Sequence, residues 1–217
     1  MTKKVDIRQL SLEELTEKLV ALGEKPFRAK QIHEWLWKKR ATSFNDMTNL
    51  SLSLRDLINE HFIINAIKLS EAQKSDDRTI KNAFLLADDA VIEGVLIPTK
   101  KRMTACVSVQ VGCSLDCAFC ATGKLKRVRN LNPDEIYDQV VMISDQAKEE
   151  YDIPLSNIVF MGMGEPLLNY KSLINSIEKI TSKEGLGMSP KRITVSTAGI
   201  AKIIHKLADD EVRFNLA

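Results

Sequence analysis

Three cysteines stand close enough together to hold a metal: Cys113, Cys117 and Cys120, with the spacing C-x3-C-x2-C. All four cysteines of the 217-residue chain lie between positions 106 and 120. Cysteines that stabilise a secreted domain as disulfides are spread along the chain, so this clustering indicates metal or redox chemistry. A closed zinc site and an ordinary iron–sulfur cluster each take four protein ligands, whereas this motif supplies three. An iron cluster held by three thiolates would leave one iron open to a small molecule, which indicates a catalytic site.

A zinc knuckle is the alternative interpretation of the same cysteines. Its fourth ligand would be Cys106 or one of the three histidines, which are His33, His61 and His205. None of these histidines is near the cysteines in sequence, as a compact zinc motif would require. This alternative predicts a non-enzymatic, RNA-binding zinc module.

The composition, with 44% apolar and 28% charged residues, is typical of a soluble globular protein. The sequence contains no apolar run of 18 residues, and no hydrophobic segment follows the basic start Met1-Thr2-Lys3-Lys4. We therefore expect neither a membrane span nor a signal peptide. A cytoplasmic protein is predicted, because thiols stay reduced there.

The charges are unevenly distributed, although the net charge is only +2. Residues 25–40 contain six basic residues and one acidic residue, and residues 98–132 contain seven and one. Local basic patches of this kind are where contacts with RNA are expected.

The first 62 residues have the pattern of a small helical domain. Ser11 and Glu14 can form a capping box at the start of a helix that Gly23 ends. A second, basic helix is predicted over residues 26–40 and a third over residues 54–62. The apolar side of the second helix consists of Ile32, Trp35 and Leu36. Its basic residues form either a solvated face or an RNA-contacting face, and its tryptophans either pack in the core or stack on bases.

From about residue 63 to residue 110, the helical pattern changes to that of short strands. The predicted strands cover residues 80–86, 90–97 and 105–111. Strict alternation places Glu93 on one face with the apolar residues Val91, Val95 and Ile97. Glu93 is therefore either a solvated residue at the sheet edge or a general base in poorly solvated surroundings.

From residue 106 to residue 217, strands and helices alternate, which predicts a parallel sheet with helical connections. The helices are predicted at 132–150, 170–182 and 200–208, and the later strands at 157–161, 192–196 and 212–217. Ligands of such folds bind at the carboxyl ends of the strands. Those ends are followed by the cysteine loop, by residues 162–166 and by residues 196–199.

The glycine-rich sequence Met161-Gly162-Met163-Gly164-Glu165-Pro166 follows one of these strands. Its glycines allow a close approach of the backbone to a ligand, and Glu165 can accept hydrogen bonds from an ammonium group. The same sequence is also compatible with a plain turn between a strand and a helix. Ser196 ends the next strand, where it can bond a carboxylate or a ribose.

Three motifs together carry a family resemblance: Cys106-Val107-Ser108-Val109-Gln110-Val111-Gly112-Cys113 with the cysteine loop, residues 161–169, and Val195-Ser196-Thr197. They resemble the radical S-adenosylmethionine (SAM) rRNA methyltransferases that act on carbon 2 of adenine. Related enzymes acting on carbon 8 share much of the pattern. The resemblance implies an α/β fold: an N-terminal helical domain over 1–62, a β-hairpin segment over 63–105, and a partial (β/α) barrel over 106–217.

The resemblance also implies the site residues. By resemblance, Cys113, Cys117 and Cys120 hold a [4Fe-4S] cluster. Gly164, Glu165 and Ser196 bind SAM. Glu93 is the proton acceptor, and Cys106 resolves a covalent RNA–enzyme intermediate by forming a disulfide.

The implied mechanism needs one more cysteine, which carries a methyl group taken from a first SAM and activated by a radical from a second. The implied partners are 23S rRNA, with tRNA as a second candidate, and an electron donor such as flavodoxin; the implied state is a monomer. The 217 residues contain no cysteine after Cys120. We therefore expect this polypeptide alone to be inactive, and its last strand, over residues 212–217, to have an unpaired edge.

Overall fold

The computed structural model describes residues 4–217, which form two compact units. The first unit comprises the chain up to Ala66 together with Lys179–Gly187, and the second comprises Ile67–Glu178 and Met188–Ala217. Met1, Thr2 and Lys3 lie outside the described residues. They include most of the basic start noted in the sequence and are the first residues of the predicted N-terminal domain. The predicted domain boundaries stay a prediction.

Among its described residues, the first unit contains three complete α-helices and a pair of two-residue strands. Its elements are β1 Val5–Asp6, α1 Leu12–Ala21, α2 Phe27–Trp37, α3 Leu52–His61 and β2 Phe62–Ile63, with β1 and β2 parallel. The predicted capping box begins α1, because Ser11 Oγ accepts from Glu14 N–H and a Glu14 carboxylate oxygen accepts from Ser11 N–H. Gly23 follows the helix with φ +85°, a conformation that glycine adopts without strain.

The buried side of α2 differs from the prediction. Ile32 and Leu36 are buried as expected, but the tryptophan in the core is Trp37, and Trp35 is only partly buried. The Trp35 indole N–H donates to Asn49 Oδ1, and Lys39 Nζ lies 4.1 Å from the centre of its ring. The helix also ends at Trp37 rather than at Arg40, whose φ is +59°.

The second unit is built on a seven-stranded mixed sheet. The strands of this unit are β3 Lys68–Lys74, β4 Ile80–Leu85, β5 Val91–Pro98, β6 Met103–Cys106, β7 Gln110–Val111, β8 Arg129–Asn130, β9 Asn157–Phe160, β10 Ile193–Val195 and β11 Asn215–Leu216. The order in the large sheet is β11-β10-β9-β6-β5-β4-β3, and β7 and β8 form a separate antiparallel pair. The strands β6, β9, β10 and β11 are parallel, whereas β3 to β6 are antiparallel neighbours.

Three helices connect the parallel strands: α4 Pro133–Tyr151, α5 Tyr170–Thr181 and α6 Ala201–Asp209. Asn132 and Glu135 form the capping box of α4, with a proline in the first turn. The helix α4 packs on one face of the sheet. This is seen at Gly94 of β5, where a Cβ would lie 3.2 Å from Ile143 Cδ1 of the helix. This mixed α/β arrangement, with parallel strands joined by helices, confirms the predicted fold class.

The sequence prediction was wrong about one continuous strand over residues 105–111. The strand β6 ends at Cys106, and the backbone N–H groups of Val109 and Gln110 both donate to Met163 O. The chain then forms β7, which pairs with β8 instead of extending β6. The strand β3 was not predicted, because every residue of Lys68–Lys74 is exposed and no buried face marks it.

The last strand is shorter than predicted. It is confined to Asn215–Leu216, and in the described part of the chain it pairs only with β10, so it forms one edge of the sheet. Leu216 is exposed there. Within residues 4–217, no helix has the length and apolar character needed to span a bilayer.

Candidate active site

The cysteine loop, residues 113–128, projects from the pair β7 and β8. Gly112 begins it with φ +73°, and a Cβ there would lie 2.3 Å from the backbone oxygen of Lys126, so any other residue would collide with the returning chain. The loop is closed where Cys113 N–H donates to Leu125 O at 3.2 Å. These contacts place the start and the end of the loop side by side.

The thiols of the loop are free, as is that of Cys106. Cys117 and Cys120 are joined by a turn in which Cys120 N–H donates to Cys117 O at 3.0 Å. Phe119 between them is 95% exposed. Among residues 4–217, no three His, Cys, Asp or Glu side chains are grouped as they would be around a metal ion. The donor set itself, three partly buried thiols on one short loop, fits a cluster with three thiolate ligands.

The stem of the cysteine loop, which consists of residues 109–111 and 129–131, contains buried polar groups. Gln110 of β7 is fully buried, and its Nε2 donates to Asn130 Oδ1 of β8 at 2.8 Å. Asn169 is also buried, and its Nδ2 donates to the backbone oxygens of Val109 and Leu131, one on each side of the stem. The stem is therefore anchored to the segment that follows β9.

The two glycines of the segment after β9 are required by the protein itself. A Cβ at Gly162 would lie 2.6 Å from Ser108 Oγ and 2.7 Å from the Val107 backbone. A Cβ at Gly164, where φ is +95°, would lie 2.5 Å from Gln110 Cβ. The predicted close approach of a ligand is not needed to explain these glycines, because the chain before the cysteine loop already occupies the space.

The carboxylate of Glu165 is buried and held by three donors. Its Oε1 accepts from Leu167 N–H at 2.9 Å and from the Thr197 hydroxyl at 2.7 Å, and its Oε2 accepts from Ala198 N–H at 2.8 Å. A carboxylate has about four acceptor positions, so one position on Oε2 is left for a ligand ammonium group. This arrangement fits the predicted contact with SAM.

Ser196 directly precedes Thr197, whose hydroxyl donates to this carboxylate. Ser196 directly follows β10, and its N–H donates to Phe160 O of the neighbouring strand β9 at 3.4 Å. Thr197 belongs to a motif noted in the sequence but was given no role there, and it contacts Glu165 directly. The structure thus brings Gly164, Glu165 and the residues after β10 together at the carboxyl ends of two parallel strands.

Glu93 and Cys106 lie on the face of the sheet opposite to α4. On β5, Ile92 and Gly94 are buried, whereas Glu93 is exposed. Glu93 shares a face with its apolar neighbours, as the alternation predicted. That face is the one that α4 does not cover, which is called the open face below. The Glu93 carboxylate forms an ion pair with Lys81 Nζ at 3.1 Å, and both side chains are about half exposed.

Cys106 lies on the same face of the sheet as Glu93. It pairs with Val95 on the neighbouring strand, and Val95 is two residues after Glu93. Burial raises the pKa of the Cys106 thiol, and a hydrogen bond from the backbone of Met161 opposes this only in part. Cys106 is therefore a protonated thiol at neutral pH. It needs a base before it can act as a nucleophile.

Ser108 connects the Glu93 backbone to the segment after β9. Its hydroxyl donates to Glu93 O at 2.5 Å and accepts from Met163 N–H at 2.8 Å. Ser108 and Gln110 were missed as site residues. The available signal was their position as polar residues inside the apolar run Val107-Ser108-Val109-Gln110-Val111.

Comparison with protein families identifies the class to which this fold and site belong. Residues 107–217 match the family model of the radical SAM superfamily, and residues 5–64 match that of the ribosomal RNA large subunit methyltransferase N-terminal domain. The chain belongs to the radical SAM superfamily, whose cofactors are a [4Fe-4S] cluster and SAM.

Individual relatives narrow the similarity. The chain is 61% identical to a probable dual-specificity RNA methyltransferase RlmN of Christiangramia forsetii over 99% of its own length and 61% of the relative. It is 44% identical to the dual-specificity RNA methyltransferase RlmN of Syntrophus aciditrophicus, covering 95% of the chain and 59% of that protein. The crystal structure of a radical SAM methyltransferase from Sphaerobacter thermophilus matches with a TM-score of 0.86 and 37% identity, over 98% of this chain and 62% of that one. The chain thus spans about three fifths of the length of these relatives.

Proposed function

We propose that this chain is part of a radical SAM methyltransferase that methylates carbon 2 of adenine in 23S rRNA, with tRNA as a second substrate. The observation that carries the proposal is the hydrogen bond from Glu165 N–H to Gln110 Oε1, at 3.0 Å. It joins a buried carboxylate suited to an ammonium group to the stem of a loop with three free thiols. The match to an rRNA methyltransferase N-terminal domain supports RNA as the substrate.

The cysteine loop and the Glu165 segment would divide the binding of the two cofactors. Cys113, Cys117 and Cys120 would hold the cluster, and Glu165 would accept a hydrogen bond from the SAM amino group. Ser196 would bind the carboxylate or the ribose. When bound and reduced, these cofactors supply a 5'-deoxyadenosyl radical. A cytoplasmic location, where the thiols stay reduced, suits this loop.

Glu93 and Cys106 would complete the reaction on the open face of the sheet. Glu93 would take the proton that carbon 2 of adenine loses after the methylene radical of the methyl-carrying cysteine has added to it, and the proposed electron-transfer partner, such as flavodoxin, would take up the one electron left on the adduct. Once a base has removed its proton, Cys106 would then bond to the sulfur of that cysteine. The sulfur–carbon bond breaks, its electron pair stays on carbon, and a proton completes the methyl group, so a disulfide is left on the protein.

The assignment of the three cluster ligands is tested by anaerobic reconstitution of the 217-residue chain with iron and sulfide. Replacing Cys113, Cys117 or Cys120 by alanine should abolish iron binding, whereas Cys106→Ala should keep it, because only the first three are on the loop. Iron loss in Cys106→Ala equal to that of the other three would make Cys106 a ligand and contradict the assignment. A colourless protein with one bound zinc would favour the zinc module.

The reaction is tested with reductant, SAM and rRNA. We expect release of 5'-deoxyadenosine without methyl transfer, because the 217 residues contain no cysteine after Cys120 to carry the methyl group. Detection of 2-methyladenine made by this chain alone would contradict the proposed carrier. A longer chain that contains such a cysteine should give 2-methyladenine, and 8-methyladenine instead would reassign the carbon.

RNA binding is tested on the basic helix α2. Lys38 and Lys39 are exposed at its end. If they contact phosphates, Lys38→Glu with Lys39→Glu should weaken RNA binding and reduce its salt dependence by about one unit of slope per lost contact. Lys18→Glu, an exposed lysine on α1, is the matched control and should leave the slope unchanged. A slope unaltered by the double substitution would make this a solvated face.

A further inference from the structure

Gln110 uses both ends of its side-chain amide between two parts of the candidate site. It is fully buried, and it lies three residues before the first cysteine of the loop. Its Oε1 accepts from Glu165 N–H at 3.0 Å, and its Nε2 donates to Asn130 Oδ1 at 2.8 Å. A buried amide satisfied at both ends is held in one orientation, because losing either bond leaves a polar group without a partner.

The backbone at Gly164 is shaped around this side chain. A Cβ at Gly164 would lie 2.5 to 2.8 Å from Gln110 Cβ, Cγ and Oε1. Real Cβ atoms do not approach so closely, so the glutamine and the glycine pack directly against each other. This contact fixes where the chain enters Glu165.

The hydrogen bonds continue beyond Gln110 in both directions. On one side, Asn130 accepts from Arg127 at 3.2 Å and donates to Leu168 O at 3.3 Å. On the other side, the Glu165 carboxylate accepts from the Thr197 hydroxyl and from Ala198 N–H. One connected set of bonds therefore runs from the base of the cysteine loop to the end of β10.

We propose that Gln110 is a positioning residue for SAM: it sets the place of the Glu165 carboxylate relative to the stem of the cysteine loop. The inference rests on the proposed function, in which Glu165 binds the SAM amino group. A group that binds a small charged ligand must be held within a fraction of an ångström, which packing and hydrogen bonds from a neighbouring layer provide. Gln110 provides both.

A purely structural glutamine would act differently. Its loss would lower the stability of the fold without a selective effect on SAM. A second amide pair in the same unit offers the control: the buried Asn82 and the partly buried Gln146 exchange two hydrogen bonds, at 2.9 and 3.0 Å, between β4 and α4. Within residues 4–217 the hydrogen bonds of this pair do not reach Glu165, so Gln146→Met reports the cost of losing an amide that bonds a buried partner but has no link to the site.

The test compares Gln110→Met with Gln146→Met in the reconstituted 217-residue chain. Both should lower the thermal midpoint, since each leaves polar partners unsatisfied, and both should keep the iron content of the unchanged chain. Only Gln110→Met should raise the dissociation constant of SAM, by about tenfold or more. Equal SAM affinity in the two variants would overturn the inference.

A milder pair of variants keeps the test decisive if Gln110→Met fails to fold. Asn130→Asp keeps an oxygen for Gln110 Nε2 and for Arg127, so SAM affinity should stay within about twofold, whereas Asn130→Leu removes that acceptor and should weaken SAM binding. Equal effects of Asp and Leu would contradict a role through Gln110.

Hydrogen exchange of the cofactor-free chain separates this inference from the proposed function. The Glu165 amide should exchange faster in Gln110→Met than in Gln146→Met, because its acceptor is lost. If the unchanged chain binds no SAM while this difference is seen, the proposed function fails and the positioning of Glu165 stands. An unchanged exchange rate at Glu165 would overturn the positioning itself.

Discussion

The cysteine loop and the segment after β9 belong to the same candidate site, although they are far apart in sequence. Different kinds of contacts fix their conformations. In the cysteine loop, Phe119 and Val128 are exposed, and hydrogen bonds such as Cys120 to Cys117 join near neighbours. In residues 162–169, Met163, Glu165 and Asn169 are buried. Their partners, such as Ser108 and Gln110, are more than 50 residues away in sequence.

This difference indicates how each part acquires its shape. The segment that would bind SAM is organised by the protein fold itself, which lowers the cost of ordering it when a ligand binds. The cysteine loop would gain its final arrangement from the cluster, because metal binding and the ordering of its ligand loop are coupled. Substitutions in residues 162–169 should therefore destabilise the cofactor-free chain more than substitutions in the cysteine loop.

The largest difference is expected between Gly162→Ala and Gly123→Ala. A Cβ at Gly162 would meet Ser108 Oγ and the Val107 backbone at 2.6 to 2.7 Å, whereas at Gly123 the nearest atoms of Cys117 and Leu115 lie at 3.2 Å. Gly162→Ala should reduce the free energy of unfolding by about 2–3 kcal/mol, and Gly123→Ala by less than about 1 kcal/mol. Urea denaturation of the metal-free chain measures both, and equal losses would remove the contrast.

The next difference is between Glu165→Gln and Cys117→Ser. An amide at position 165 would turn a donor toward the Ala198 N–H, so the free energy of unfolding should fall by about 1–3 kcal/mol. Cys117→Ser, in the partly exposed loop, should change it by less than about 0.5 kcal/mol while abolishing iron binding. The urea midpoints of both variants measure the change in stability, and iron analysis measures the loss of the cluster. A Cys117→Ser chain as unstable as Glu165→Gln would show that the loop is already part of the folded core.

The smallest effect extends the contrast between buried and exposed groups to the first unit. Burial and the nearby Lys179, whose Nζ lies 3.0 Å from His33 Nε2, lower the pKa of His33 to about 4, against the opposing charges of Glu184 and Glu13. As pH falls from 6.5 towards 4, the unfolded chain takes up a proton that the folded chain does not, so the folded state loses stability. Because His33 is partly exposed, we expect a loss on the order of 1 kcal/mol.

Urea midpoints at pH 7 and pH 5 measure this loss. His33→Gln should remove its contribution, whereas His205→Gln, at an exposed position on α6, should leave the pH dependence unchanged. The same pH dependence in the unchanged chain and in His33→Gln would contradict the assignment to His33.

The sequence by itself determined the features that depend on near neighbours. The capping boxes of α1 and α4 each require two side chains three residues apart, so Ser11 with Glu14 and Asn132 with Glu135 predicted the helix starts. The cysteine spacing was also evident from the sequence. The residues at the strand ends could be assigned to one site, because parallel strands bring their carboxyl ends to the same edge of the sheet.

Only the tertiary structure decided which partner each group meets. Apart from the partly buried Cys106, all residues of 105–111 are buried, so no alternation of buried and exposed positions revealed the division of this run after Cys106. The alternation in β5 placed Glu93 on a face, but the packing of α4 on the other face determined that this face is open. Gly164 indicated a close approach, and the approaching group is Gln110, because hydrogen bonds and steric contacts between residues more than 50 positions apart are set by the fold.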